Sequence, residues 1–142
     1  MEERRLLKKR AELLALDHLL RLGIDPLTPV SGEGPVVVPL QNGGYREALV
    51  VAGAGPSPRW FRVFNLRPRH GLVIVCMALQ GEHVETWVIP SLVYAEQAER
   101  SDDAYDVNLD TGRQAQALEA YRDAWQHLTQ DALRSRERPG TR

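Results

Sequence analysis

Three observations place this sequence in the α+β class or among mixed-sheet α/β domains, with a mixed central sheet of about five to six strands flanked by an N-terminal and a C-terminal helix. Apolar residues recur at helical spacing near both ends, over 2–22 and 113–133. Between these ends lie short β-branched or apolar runs separated by turns rich in Gly, Pro and Asn. One run, LVIVCMAL at 72–79, is apolar throughout. Such a strand must be buried on both faces, which predicts an inner strand of a sheet covered by helices.

In chain order, the first helix is justified by Leu6, Leu13, Leu16 and Leu20, which recur beside Leu7, Ala11 and Leu14 with charges between them, and Gly23 supplies its stop. Pro26 and Pro29 force IDPLTPV into extended or turn geometry, and SGEGP is a loop. The runs VVVPL and EALVVA flank QNGG, an Asn-Gly hairpin signal. GAGPSP is the next turn, RWFRVFNL a third strand, RPRHG a turn, LVIVCMAL the fourth strand, and VETWVIP the fifth after the tight turn GEH. SLVYAEQAER reads as a short helix and AYDVNLD as a short edge strand. The closing helix over 113–133 sets Ala117, Leu118, Tyr121, Trp125, Leu128 and Leu133 near one face. Residues 1–133 are expected to form one domain, and the basic tail 134–142 to be disordered.

At 142 residues and 43% hydrophobic content the chain can bury an ordinary core. No run approaches the ~18 consecutive apolar residues of a membrane span, and MEERRLLKKR lacks the apolar centre of a signal peptide. We therefore expect a cytoplasmic protein without membrane contact. The single cysteine, Cys76, excludes an internal disulfide framework and reads as a buried thiol. The net charge of −1 does not mark a bulk nucleic-acid binder. The charge is nonetheless uneven. RWFRVFNLRPR at 59–69 carries Arg59, Arg62, Arg67 and Arg69 and no acid, whereas 82–110 sets eight acids against Arg100 alone. Two such surfaces can attract each other across a dimer. Arg4, Arg5, Lys8, Lys9 and Arg10 form a second basic group, and Arg134, Arg136, Arg138 and Arg142 a third.

Most catalytic motifs fail. ALVVAGAGPSP offers Gly-x-Gly after a strand, but Pro56 and Pro58 favour a turn over the helix N-terminus that a pyrophosphate needs. His18, His70, His83 and His127 are scattered without metal-ligand spacing. The acids at 102–110 lack the alternation and central Gly of a calcium loop. No serine sits in a nucleophile elbow.

The whole-chain order carries more. A helix KKRAELLALDHLLRLGID leads to GGYREALVVA, then RWFRVFNLRPR, the buried strand, VETWVIP, YDVNL and a helix with AYRDAW. Over about residues 8–128 this order resembles the restriction-endonuclease-like PD-(D/E)XK nucleases. The resemblance implies a helix glutamate, an aspartate on the second strand and an acid-or-Gln-x-Lys on the third, converging on a divalent cation that activates water. Glu12 stands where the helix glutamate would, and Glu47 or Ala48 where the aspartate would. The third strand, RVFNL, has neither acid nor lysine in any register. The reading is thus a nuclease fold without catalytic residues and without a cofactor, Glu12 and Glu47 being vestiges. Arg59, Trp60, Arg62, Arg67 and Arg69 are its candidate surface for nucleic acid, DNA or RNA, or for a nucleic-acid-processing partner, in a chain expected to be a homodimer. Two alternatives remain. One is an assembly or regulatory module, without a nucleic-acid role, that docks a protein through an exposed edge strand and the acidic face; the other is an active Mg2+-dependent nuclease on migrated carboxylates such as Glu12 and Glu47.

Overall fold

A computed structural model of the chain describes residues 2–30, 34–53 and 56–134. The tail expected to be disordered, with Arg136, Arg138 and Arg142, lies outside the described residues apart from Arg134. The side chain of Arg4 lies outside them too.

The fold is α+β. Helix α1 (Glu2–Arg21) precedes strands β1 (Val36–Pro39), β2 (Tyr45–Ala52), β3 (Trp60–Phe64), β4 (Leu72–Gln80) and β5 (His83–Pro90). Helix α2 (Ser91–Gln97), strands β6 (Glu99–Ser101) and β7 (Ala104–Asn108), helix α3 (Arg113–Ala117), a 3-10 turn (Glu119–Tyr121) and helix α4 (Gln126–Thr129) follow. The strands are shared between a mixed sheet of order β1-β2-β4-β5 and an antiparallel sheet of order β3-β7-β6. β2 and β4 run parallel, and the crossover between them is β3, a strand of the other sheet.

Turn chemistry sets the hairpins. The β1–β2 connection pairs Pro39 with Tyr45, and Asn42 Oδ1 accepts from the Gly44 N–H at 2.8 Å. β4 and β5 are joined by Gly81 and Glu82 alone, with Gly81 at φ 59° in the first loop position, where a II′-type turn requires glycine.

β4 alternates between two cores. Val73, Val75 and Met77 face α1 and pack with Val38, Val50 and Leu128, while Leu72, Ile74, Cys76 and Ala78 face the second sheet and pack with Phe61, Val63 and Val107. The run 72–79 is therefore the doubly buried inner strand expected. The cover on one face is the antiparallel sheet together with the helix α2, which contributes the buried Tyr94.

Two expectations about helices change. The fully buried face of α1 consists of Ala11, Ala15 and Leu19, with half-buried Leu14 and Leu16 packed at its margins, and Leu6, Leu13 and Leu20 point outward. Valines already fill the sheet face, and two alanines let the helix axis approach it closely where a leucine row would be overpacked. The helix expected over 113–133 is broken into α3, the 3-10 turn and α4. The Asp123 N–H donates to the Thr86 carbonyl at 2.9 Å, Asp131 accepts from the Gln41 N–H at 2.9 Å, and the Leu133 N–H donates to Pro39 at 3.0 Å. Backbone pairing to the margins of the mixed sheet thus replaces local helical bonds, and Asp123 and Asp131 take positive φ at the breaks.

Candidate functional site

The Arg-aromatic segment is built on β3, whose alternation turns Phe61 and Val63 inward and leaves Trp60, Arg62 and Phe64 exposed. Its arginines are not free cations. Arg59 donates to both oxygens of Glu85, at 2.7 and 2.6 Å, and lies 3.5 Å from Asp110. Arg122 adds a second guanidinium to the Glu85 carboxylate, with its own plane over the Trp87 ring. Glu85 is only 7% exposed. The Arg59 hydrogen bonds hold its carboxyl below the usual carboxylate range against the opposing effect of burial. Arg62 sits directly across from Asp106 in the β3–β7 register and donates to both its oxygens, at 2.8 and 2.9 Å. Arg69 reaches Glu47 at 2.7 Å, and its main chain is clasped from both sides by the buried Ser91 hydroxyl. Arg67 is exposed, and its carbonyl accepts from Arg69. Three of the four arginines are therefore spent on carboxylates of their own chain. Glu85, Asp106 and Asp110, part of the supposed acidic surface, are among the partners, so the attraction expected between copies is satisfied within one.

Glu12 and Glu47 are not brought together. Ala48 and Val50 of β2 belong to the core under α1, whereas Leu49 and Val51 pack toward the second sheet. By the same alternation Glu47 faces away from α1, the helix that carries Glu12. Strand β3, the supposed third-strand position, has left the mixed sheet for β7. Among the described residues no group of three His, Cys, Asp or Glu is placed to hold a metal ion, and no helix is long and apolar enough to cross a membrane. His18 stacks on Trp125 with ring centroids 4.2 Å apart, Trp87 is buried, and Cys76 is fully buried in the core between the sheets.

What the sequence reading missed is a cleft of about 760 Å³ beside this segment. It touches Arg5, Leu7 and Lys8 of α1, the stretch Leu49–Gly53, and Trp60, Arg62 and Phe64 of β3. Because α1 and β3 lie on opposite faces of the mixed sheet, the cleft must cross the edge of β2 between them. That edge is open. β1 covers only Tyr45–Ala48 and leaves Leu49–Ala52 without a strand partner on this side among the described residues. The Glu47 and Gly53 N–H groups donate toward β4, to Gly71 and Met77. Alternation then directs the N–H and C=O groups of Val50 and Ala52 into the cleft. Beyond β2 the chain turns back so tightly that a Cβ on Gly53 would stand 1.7 Å from the Pro58 carbonyl oxygen, so only glycine fits. Arg5 and Lys8 have no ion-pair partner among the described residues. The sequence held one signal for this site, a four-residue strand that follows Pro35 and ends on Pro39, facing an eight-residue one.

No protein-family model matches the chain, nor does any curated protein or solved structure.

Proposed function

We propose that the chain is a protein-binding module that takes an extended segment of a partner as an added strand on the free edge of β2. The observation that carries this is the pair of edge residues, Val50 and Ala52, whose backbone groups are presented to a cleft flanked by half-exposed Trp60 and Phe64. Open edges inside a groove bind extended peptides by main-chain hydrogen bonds, while the walls select alternate side chains. Leu7, Trp60 and Phe64 favour apolar side chains, and the unpaired Arg5 and Lys8 favour acids among them.

Nucleic acid is the second reading. Half-exposed Trp60 beside Arg5 and Lys8 favours it, as a stacking platform with two cations. With Arg59, Arg62 and Arg69 already paired, few phosphates would be neutralised, and binding would be weak with a shallow salt slope.

The test is selection of a random peptide library on the immobilised chain, followed by titration read through intrinsic tryptophan fluorescence, with a Trp60→Phe chain identifying the contribution of Trp60 among the three tryptophans. Enriched peptides should alternate apolar and acidic residues. Ala52→Pro removes an N–H that faces the free edge and not β4, a position where an edge strand tolerates proline. It should keep the far-UV CD spectrum and Tm near the parent's, and abolish peptide binding. Peptide affinity unchanged in Ala52→Pro would eliminate strand addition. Binding of labelled single-stranded DNA or RNA with no peptide enrichment would favour the second reading.

A further inference from the structure

The outward face of α1 is not used by the fold or by the cleft. Leu6, Leu13 and Leu20 are 68%, 56% and 54% exposed, and the buried Ala11, Ala15 and Leu19 lie on the opposite side of the same helix. The three leucines are seven residues apart, so they form one stripe of about 10 Å per interval, drifting only about 20° at each. The stripe is also symmetric, because Leu6 and Leu20 are equidistant from Leu13.

We infer that α1 is a self-association surface, on which two copies pair antiparallel about a two-fold axis at Leu13. In that arrangement Leu13 meets Leu13 of the second copy, and each Leu6 meets the other copy's Leu20. An interface of this symmetry brings the same flank of each helix together, with direction reversed. Arg10 and Asp17 share one flank, three residues before and four after Leu13, so each Arg10 comes across from the second copy's Asp17. Both retain capacity for this contact. Arg10 uses one terminal nitrogen on the Gly81 carbonyl, and Asp17 uses Oδ2 on Arg21, which leaves Oδ1. Charge also decides the direction. Arg5, Lys8, Lys9 and Arg10 crowd the first half of the helix, and a parallel pair would set these cations against themselves. An antiparallel pair separates them and opposes the helix dipoles favourably.

The inference does not depend on the cleft reading, and its test uses the full chain. Sedimentation velocity over a concentration series should give a monomer–dimer equilibrium. Leu13→Glu, which places two carboxylates at the axis, should shift it by at least tenfold toward monomer with an unchanged CD spectrum. Direction is read by cysteine crosslinking, for which the buried Cys76 is silent. Under mild oxidation Leu13→Cys should form a disulfide-linked dimer with itself. Leu6→Cys should fail alone, its two copies being about 20 Å apart along the axis, beyond the ~7 Å Cα separation a disulfide spans. Mixed with Leu20→Cys it should succeed. A wild-type chain that stays monomeric at every concentration overturns the inference. So does a dimer that survives Leu13→Glu, or a Leu6→Cys chain that crosslinks to itself.

Discussion

Two guanidiniums close on Glu85, one from the start of β3 and one from the segment after the 3-10 turn, so a single carboxylate joins both to β5. Removing its charge leaves Arg59 and Arg122 facing each other. Glu85→Gln is expected to cost about 2 kcal/mol, roughly 8 °C in Tm, measured by urea and thermal melts near neutral pH. The pH dependence has a definite sign. The folded pKa of Glu85 lies below that of the unfolded chain, about 4.3 for a glutamate. Its stabilisation is therefore complete above that value and disappears as pH falls through the lower folded value. Melts across the acid range should lose stability less steeply in Glu85→Gln than in the parent, and parallel curves would contradict the assignment. At this scale the sequence showed the arginines but not their partners, which lie 22, 26 and 44 residues away. Only the β3–β7 register puts Asp106 opposite Arg62, and register between distant strands is set by packing that local pattern does not encode.

β4 was legible as an element because double burial leaves an unbroken apolar run, and the two tight hairpins were legible because Asn-Gly and a lone glycine demand particular turns. α1 was legible as a helix but not in its orientation. Leucines outnumber alanines on it, yet the alanines face the sheet, because the room available between helix and sheet decides and is invisible in the helix's own spacing. The helix is also tied to the C-terminal region by the stacking of His18 on Trp125. Burial lowers the His18 pKa below 6.5, the largest effect on it, so the folded chain prefers the neutral ring. The unfolded chain takes up its proton first on acidification. Stability contributed by His18 is thus held above about 6.5 and declines as pH falls through the lower folded value. His18→Phe keeps the stack and should flatten the melting curve between about pH 7 and pH 5, where the parent loses stability. An identical slope in both chains would contradict this.

Across the molecule, two cores share the strands β2, β4 and β5, with α1 and α4 on one side of the mixed sheet and the antiparallel sheet on the other. Cys76 stands in the second core with no exposed surface, and burial pushes its thiol pKa well up. A thiol reagent should therefore reach it only through separation of the two sheets. Labelling is expected to be orders of magnitude slower than for the unfolded chain and to follow global unfolding as urea rises. Prompt labelling in native buffer would mean that the sheets part easily. The α+β class was legible from the two terminal helical patterns and the strands between them. The division into two sheets was not, since nothing local distinguishes a strand that joins its neighbour in sequence from one that pairs with a segment more than forty residues later.

That deferred pairing orders events on the ribosome. The four strands described in the mixed sheet have been translated by Pro90, whereas β7, the strand that pairs with β3 among the described residues, ends only at Asn108. Until it emerges, β3 hangs as an unpaired crossover, and Ile74, Trp87 and Ile89 have no opposing layer. The nascent chain consequently passes through an interval in which half of its interior is still a surface, and in that interval it is most open to trapping by a chaperone or by another unfinished copy.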